Sequence, residues 1–248
     1  MRIHLYTMCW NESRMLPYFL RHYENICESI VIYDNGSDDG SQSLVLAHPI
    51  CQLRHIESNG RMQEDTLREL KGNAWKESRD SADWVICCDV DEFLFHPHLL
   101  DYLEDCRHNG ITLPVPQGFQ MVAAAYPTTQ KQIYDEVRTG FRDDWYSKRI
   151  VFNPSAIQEI NYSHGCHGAS PVGDVQEAAD PALKMLHYKY LGLEDITARH
   201  AAMKARQSDF DRNRGFGFQY NWSADETARQ FSDFQRRAEP LDLGAELH

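Results

Sequence analysis

The residues best suited to chemistry lie in the run WVICCDVDEF, Trp84 to Phe93. Asp89 and Asp91 stand two positions apart, with Glu92 beside them, directly after an apolar stretch. Carboxylates held this close repel one another. A divalent cation removes that cost, and oxygen donors of this kind select magnesium or manganese, whose shells are commonly completed by substrate phosphates. A solvated acidic turn is the alternative reading of any lone D-x-D pair. The apolar run before this pair favours a site, because a buried strand delivers its last residues into the crevice where open α/β sheets bind ligands.

A second cluster is VIYDNGSDDGS, Val31 to Ser41. Asp34 ends a short apolar strand and enters a glycine-containing turn. Its carboxylate can accept from a base N–H, and the turn's backbone N–H groups can reach a ribose or phosphate. Taken alone, such acidic Asn/Gly/Ser stretches are usually just turns. His164 and His167 have the spacing of a metal pair but no third ligand nearby, and read as loop residues near an acceptor. His187 stands in LKMLHYKY, either as a ligand or as a buried structural histidine.

The elements that must position these residues alternate through the first half of the chain. Strands are expected at Ile3 to Cys9, Ile30 to Tyr33, Gln52 to Ile56, Trp84 to Cys88 and Ile111 to Val115. Helices are expected at Glu12 to Ile26, from Ser43 to Ala47, at Gln63 to Ser78, and from Pro97 to Gly110. Alternation of this kind predicts a mostly parallel central sheet flanked by helices, an α/β fold. The second half is less regular, with strands expected at Lys148 to Phe152 and Leu183 to Tyr188. Two helices follow, near Leu193 to Phe210 and Ala224 to Ala238, the second opened by a capping box of Ser223 and Glu226.

Bulk properties exclude several classes. The formal net charge is −12 over 248 residues, and no basic run exceeds the pair Arg236-Arg237. Nucleic-acid binding is therefore not expected. No apolar run is long enough to cross a membrane, and Asn11 and Glu12 interrupt the start too early for a signal peptide. The seven cysteines form no C-x-x-C pair and read as reduced, mostly buried thiols of a cytoplasmic protein. An acidic protein that takes an anionic diphosphate needs a cation to hold it.

The motifs in order are a first strand ending in Asn11-Glu12, then YDNGSDDGS, an Asn73-containing helix, and WVICCDVDEF. Together they resemble the family 2 glycosyltransferases. The D-E-F-L run at Asp91 to Leu94 is similar to the subgroup related to family 92 enzymes. The likeness is good over residues 1–115, looser to 190, and vague in the remainder. It implies a GT-A fold over residues 1–190, with 191–248 as a C-terminal helical extension packed on the same domain. It also implies a metal-dependent transferase moving a sugar from a nucleotide-sugar donor, expected to be a UDP-sugar, to a saccharide or glycoconjugate acceptor. Inversion at the anomeric carbon follows by the same analogy, and surface polysaccharide synthesis is the default setting. A homodimer is left open.

Carried over by position, Asp34 contacts the base, Thr7 to Cys9 with Asn11 and Glu12 line the nucleoside pocket, and Asp89 lies near ribose and metal. Asp89, Asp91 and His187 become the expected ligands of Mn2+ or Mg2+. Arg61, Arg68 and Lys71 are the cations at hand for base or phosphate, with no choice among them. The usual acidic pair carrying the catalytic base is not cleanly present. Asp144, then Asp143 and Asp174, are the candidates, because a base cannot be a metal-bound carboxylate. Trp145 and Tyr146 beside them offer faces on which a sugar can stack. Two rivals are weaker. A phosphohydrolase wants Thr or Val where Phe93 stands, and a nucleotidyltransferase wants a glycine-rich loop where MCWNES stands. A binding protein that keeps the fold without activity is the non-enzymatic alternative.

Overall fold

Trp84, Val85, Ile86 and Cys87 are apolar without alternation, and all four are buried. A strand of that composition belongs inside a sheet covered on both faces. In the computed structural model, which describes residues 1–58 and 61–244, this segment lies between two partners. The chain runs β1 (Ile3–Cys9), α1 (Leu16–Tyr23), β2 (Ser29–Asp34), α2 (Ser41–Ala47), β3 (Cys51–His55), α3 (Glu64–Asn73) and β4 (Trp84–Cys87). It continues with β5 (Glu92–Phe95), α4 (Leu99–His108), β6 (Leu113–Ala123), α5 (Ile133–Glu136), β7 (Thr139–Arg142), β8 (Val151–Phe152), β9 (Ile157–Glu159) and β10 (Val172–Gly173). Last come β11 (Glu177–Leu191), α6 (Leu193–Arg206), α7 (Asp209–Arg214), α8 (Ala224–Arg237) and β12 (Glu239–Pro240).

The first sheet has the order β3-β2-β1-β4-β8. Its first four strands are parallel and β8 is antiparallel, as the alternating pattern predicts. In register, Cys9 pairs with Asp34, and Tyr6 with Cys87. The carboxyl ends of β1, β2 and β4 therefore open on one edge. The fold is mixed α/β, with this central sheet flanked by helices.

A second sheet, β12-β7-β6-β11-β5, was not legible in advance. In it β6 and β11 run parallel while the other pairs are antiparallel. β6 continues eight residues past the expected end at Val115. Its prolines, Pro114 and Pro116, lie outside the Phe119–Met121 segment that pairs with β7, so their missing N–H groups cost no ladder bond there. β11 is also longer than expected, with register shifts between Ala179 and Lys184 and between His187 and Tyr190. The run Glu92 to Phe95, read only as a motif, is a strand buried along its whole length.

The helices differ from expectation at their ends. α1 is shorter than Glu12 to Ile26, and the expected Gln63–Ser78 helix ends at Asn73 and tightens into a 3₁₀ turn, Ala74–Ser78. The expected Leu193–Phe210 helix stops at Arg206, and Ser208 caps a separate α7 through Asp211 N–H. The capping box of Ser223 and Glu226 forms as predicted. After α8 the chain returns to the second sheet, where β12 pairs with β7. Residues 245–248 of the expected extension lie outside the described residues.

Phe19, Tyr23 and His22 of α1 pack on Phe93 of β5, joining the two sheets in one core. His22 is buried, and its Nε2–H donates to Leu94 O at 3.0 Å. Burial pushes its imidazole down to about 4, with the Leu94 carbonyl opposing. Below the unfolded value of 6.5 the unfolded chain takes a proton that folded His22 refuses, so stability falls as pH falls from about 6.5 to about 4. His22→Gln keeps a donor at similar reach and removes this titration. Urea unfolding of the variant should lose about 2 kcal/mol less than wild type between pH 7 and pH 5. Equal losses would show that His22 does not drive the acid sensitivity.

Candidate functional site

A cavity of about 1090 Å³ opens where the carboxyl ends of β1 and β4 meet β11. Cys9, Asn11, Glu12, Asp89, Asp91 and His187 all line it. The chain's net charge is −12, yet seven cationic side chains reach this cavity, matching its seven carboxylates. One row across the second sheet builds part of it. Glu92 on β5 pairs with His187 on β11, which pairs with Gln120 on β6.

Gln120 determines which nitrogen of His187 carries the proton. The Gln120 amide donates to Met121 O at 2.8 Å and to His187 O at 3.0 Å. Its Oε1 is thereby an acceptor, 2.7 Å from His187 Nδ1, so Nδ1 carries the hydrogen. Nε2 then presents its lone pair toward Asp91 Oδ2 at 3.6 Å. Burial pushes His187 down to about 3, so it stays neutral at ordinary pH. Tyr146 stacks on the ring at 4.1 Å and 22°. That contact needs Gly118 on β6, since a Cβ there would lie 2.2 Å from the Tyr146 carbonyl carbon.

Asp91 keeps 24% of its side chain exposed, toward this cavity. Burial and then Asp89 push its carboxyl up. Two lone-pair donors, one imidazole nitrogen and one carboxylate oxygen, thus face each other with no proton assigned between them. Cis ligands about 2.1 Å from an octahedral ion are about 3 Å apart, so a modest closure of this pair would suit a hard divalent cation. Among the described residues no group of three or more His, Cys, Asp or Glu could hold a metal alone. A site with few protein ligands, completed by phosphates, is the usual arrangement for magnesium.

Asp89 is differently placed. Lys71 Nζ reaches its Oδ1 at 2.5 Å, and Lys148 Nζ lies 3.9 Å from its Oδ2. Although burial opposes ionisation, the charges of Lys71 and Lys148 hold the carboxyl well below the usual carboxylate range. Lys148, 3% exposed, is bonded at 2.5 Å to Glu92, 1% exposed. The other Glu92 oxygen accepts from Asp89 N–H at 3.0 Å. Two lysines and Glu92 therefore hold the turn that aims Asp91 at the cavity.

The β1 loop is clamped onto the YDNGSDDGS turn. Asn11 adopts φ 52°, and its amide exchanges hydrogen bonds with Asp38 at 2.8 and 2.9 Å. Asp34 Oδ2 accepts from Gly36 N–H and Ser37 N–H at 3.0 Å and from Gln42 Nε2 at 2.8 Å. Its Oδ1 is buried with no partner. Arg199 on α6 bonds Glu12 Oε1 and donates to the Trp10 and Asn11 carbonyls at 3.2 Å. Burial, despite Arg199, raises Glu12 to about 7, with Asp91 and Asp89 adding to the rise. Cys9 is a neutral thiol pushed up to about 12, chiefly by burial.

Sequence reasoning thus places Cys9, Asn11, Glu12, Arg68, Lys71, Asp89, Asp91 and His187 on one cavity. Other placements need correction. Arg61 is exposed and outside the lining, and Asp34 lies beneath it, with neighbouring Asn35, itself buried, in the cavity wall instead. Asp143 caps the 3₁₀ turn through Trp145 N–H, and Asp144 is 76% exposed on Arg142. Asp174 is exposed beside β10 and accepts from Gln176. None of these three lines the cavity. Each is taken up locally, and the 3₁₀ turn instead brings Trp145, still 62% exposed, and Tyr146 to the cavity rim, with buried Lys148 just after them. His164 and His167 do line it, each stacked on an aromatic ring, Phe216 and Trp145. Lys148, Gln120, Lys189 and Arg199 were missed. Only the apolar neighbours of Lys148 and Gln120 hinted at their burial. All seven cysteines are free thiols, and no helix of the described residues is long and apolar enough to cross a membrane.

No protein-family model matches the chain, and no curated protein matches it. Among solved structures, the chain is similar to S. aureus TarS 1-349, at 10% identity over 96% of this chain and 71% of that one, with a TM-score of 0.49. The same TarS segment in complex with UDP-GlcNAc gives 10% identity over 96% and 72%, with a TM-score of 0.46. In complex with UDP it gives 9% over 96% and 71%, with a TM-score of 0.48. With identities this low, the chemistry of the site rests on its own side chains.

Proposed function

We propose that the chain is a metal-dependent glycosyltransferase of GT-A type that moves a sugar from a UDP-sugar to an acceptor hydroxyl, with inversion. The observation that carries this reading is the pair His187 Nε2 and Asp91 Oδ2, 3.6 Å apart on the cavity, with the imidazole hydrogen held on Nδ1 by Gln120. Asp91 and His187 would hold Mn2+ or Mg2+, with Asp89 beside them. The ion, when bound, would offset the charge that gathers on the departing diphosphate. Asp34, beneath the cavity, is proposed to hold the turn that brings Asn35 to the wall where a uracil would lie, and Arg68 stands on that wall for the nucleotide.

In the transfer, the acceptor oxygen bonds to the anomeric carbon as the bond from that carbon to the phosphate oxygen breaks. The electron pair leaves on the diphosphate, and the acceptor's proton passes to a carboxylate. Glu12 is proposed for that role. It lines the cavity, Arg199 takes only its Oε1, and burial raises it to about 7, near the working pH of a general base.

Calorimetric titration of UDP and GDP, with manganese and then with EDTA, tests the reading, together with turnover of a UDP-sugar panel. UDP should bind more tightly than GDP, and manganese should tighten it further. Glu12→Gln should lower turnover about 10²–10⁴-fold with UDP affinity near wild type, while Asp144→Asn stays within a few-fold. GDP preferred over UDP, or no effect of manganese, would remove the donor or the metal from the proposal.

A further inference from the structure

We propose that Lys189 binds the sugar-side phosphate of the nucleotide and takes up the charge released as the diphosphate departs. The inference rests on the nucleotide-sugar reading above and adds a residue to it. Lys189 stands on β11 two residues beyond His187, and its side chain lines the cavity.

The other cations of the cavity are already engaged. Lys71 is on Asp89 and Lys148 on Glu92, both at 2.5 Å. Arg199 is bonded to Glu12, Arg14 to Asp195, and Arg206 to Asn35 O. Arg68 lies 3.9 Å from both Asp65 and Glu69, with its buried Nε unpartnered, and stands on α3, away from the β11 strand that carries His187. Lys189, among the described residues, makes no hydrogen bond or ion pair; its ammonium lies 5.5 Å from the centre of the Tyr220 ring. A desolvated ammonium without an acceptor is costly, and an arriving anion removes the cost.

The charge count points to a phosphate. Seven carboxylates and seven Lys or Arg side chains line the cavity, a formal balance of zero. A divalent ion at Asp91 and His187 brings it to two positive charges, which matches the two negative charges of a nucleoside diphosphate sugar. Departure of the diphosphate adds a third negative charge. Lys189 stands two residues from His187 on β11 and, unlike Lys71, Lys148 and Arg199, has no carboxylate bonded to it among the described residues.

The test is calorimetry of the full chain with UDP, UMP and uridine, in manganese and again in EDTA. Lys189→Met keeps the apolar stem and removes the ammonium, and Lys189→Arg restores a cation. The expected result is a fall of about 10–100-fold in UDP affinity for the Met variant, the scale of one charge-assisted hydrogen bond. UMP and uridine affinity should stay within a few-fold, the loss should persist in EDTA, and the Arg variant should recover most of it. Equal losses for UDP and UMP would mark a structural role. An unchanged UDP affinity would assign Lys189 to another anion, on the sugar or the acceptor. Either outcome overturns the proposal while leaving the nucleotide reading intact. If the wild type binds no UDP, both fall together.

Discussion

Asp91→Asn is expected to lose transfer by at least about 100-fold and to lose the manganese-dependent part of UDP binding. The substitution keeps the shape of the side chain and removes the charge that faces His187 Nε2 across 3.6 Å. A metal's contribution to leaving-group departure is several kcal/mol, and 1.4 kcal/mol is a tenfold change in rate. UDP titrations with and without manganese, alongside turnover, check it. The two readouts must move together: a variant that keeps its manganese response while losing turnover would place the ion elsewhere. Folding should be little harmed, because burial and Asp89 both push the Asp91 carboxyl up and oppose its ionised form. The asparagine protein should therefore be at least as stable as wild type in the absence of metal.

Lys148→Met is expected to give the largest loss of stability, about 3–5 kcal/mol, since removing one partner of a buried ion pair strands the other charge. Lys148 and Glu92 are 3% and 1% exposed and bonded at 2.5 Å. Adding Glu92→Gln should return much of that loss. The amide still accepts from Asp89 N–H and leaves no charge buried. Urea unfolding of wild type, both single variants and the double variant gives the coupling directly. A single-variant cost under about 1 kcal/mol would mean that solvent reaches Glu92 and that the pair is not dry. The chain would then owe the aim of Asp91 to backbone pairing alone.

The parallel half of the fold was legible because its signals are local. An unbroken apolar run such as Trp84 to Cys87 and the turn at Asn35-Gly36 announce strand and crossover within a few residues. The second sheet has no such signature. β5 is four residues long and starts directly after Asp91, and its partner on β11 lies nearly a hundred residues away. Prolines in β6 and at Pro181 in β11 argue locally against strands that distant pairing nevertheless completes.

The site divides in the same way. Asp89, Asp91 and Glu12 could be placed on the cavity because each follows the end of a first-sheet strand. Lys148 could not, since lysine is rarely buried unless paired, and its partner Glu92 looked like part of an acidic turn. Asp144 drew attention through its aromatic neighbours. The turn that brings Trp145 and Tyr146 to the cavity leaves Asp144 at the surface on Arg142, so the side chains that made it attractive are the ones that displace it.

The row that joins Glu92, His187 and Gln120 also sets a schedule for synthesis. On the ribosome, chains lengthen by about 5–20 residues per second. Strands β1 to β4 are complete once Cys87 has been made, and they can pair while translation continues. Asp91 follows at once, but His187 arrives about 5–20 s later at that rate. During this interval the nascent chain holds the β1 and β4 side of its cavity without the imidazole, and β5 has an unpaired edge where β11 will lie. Translation of β11 thus closes the exposed edge and brings His187 to Asp91 in a single event.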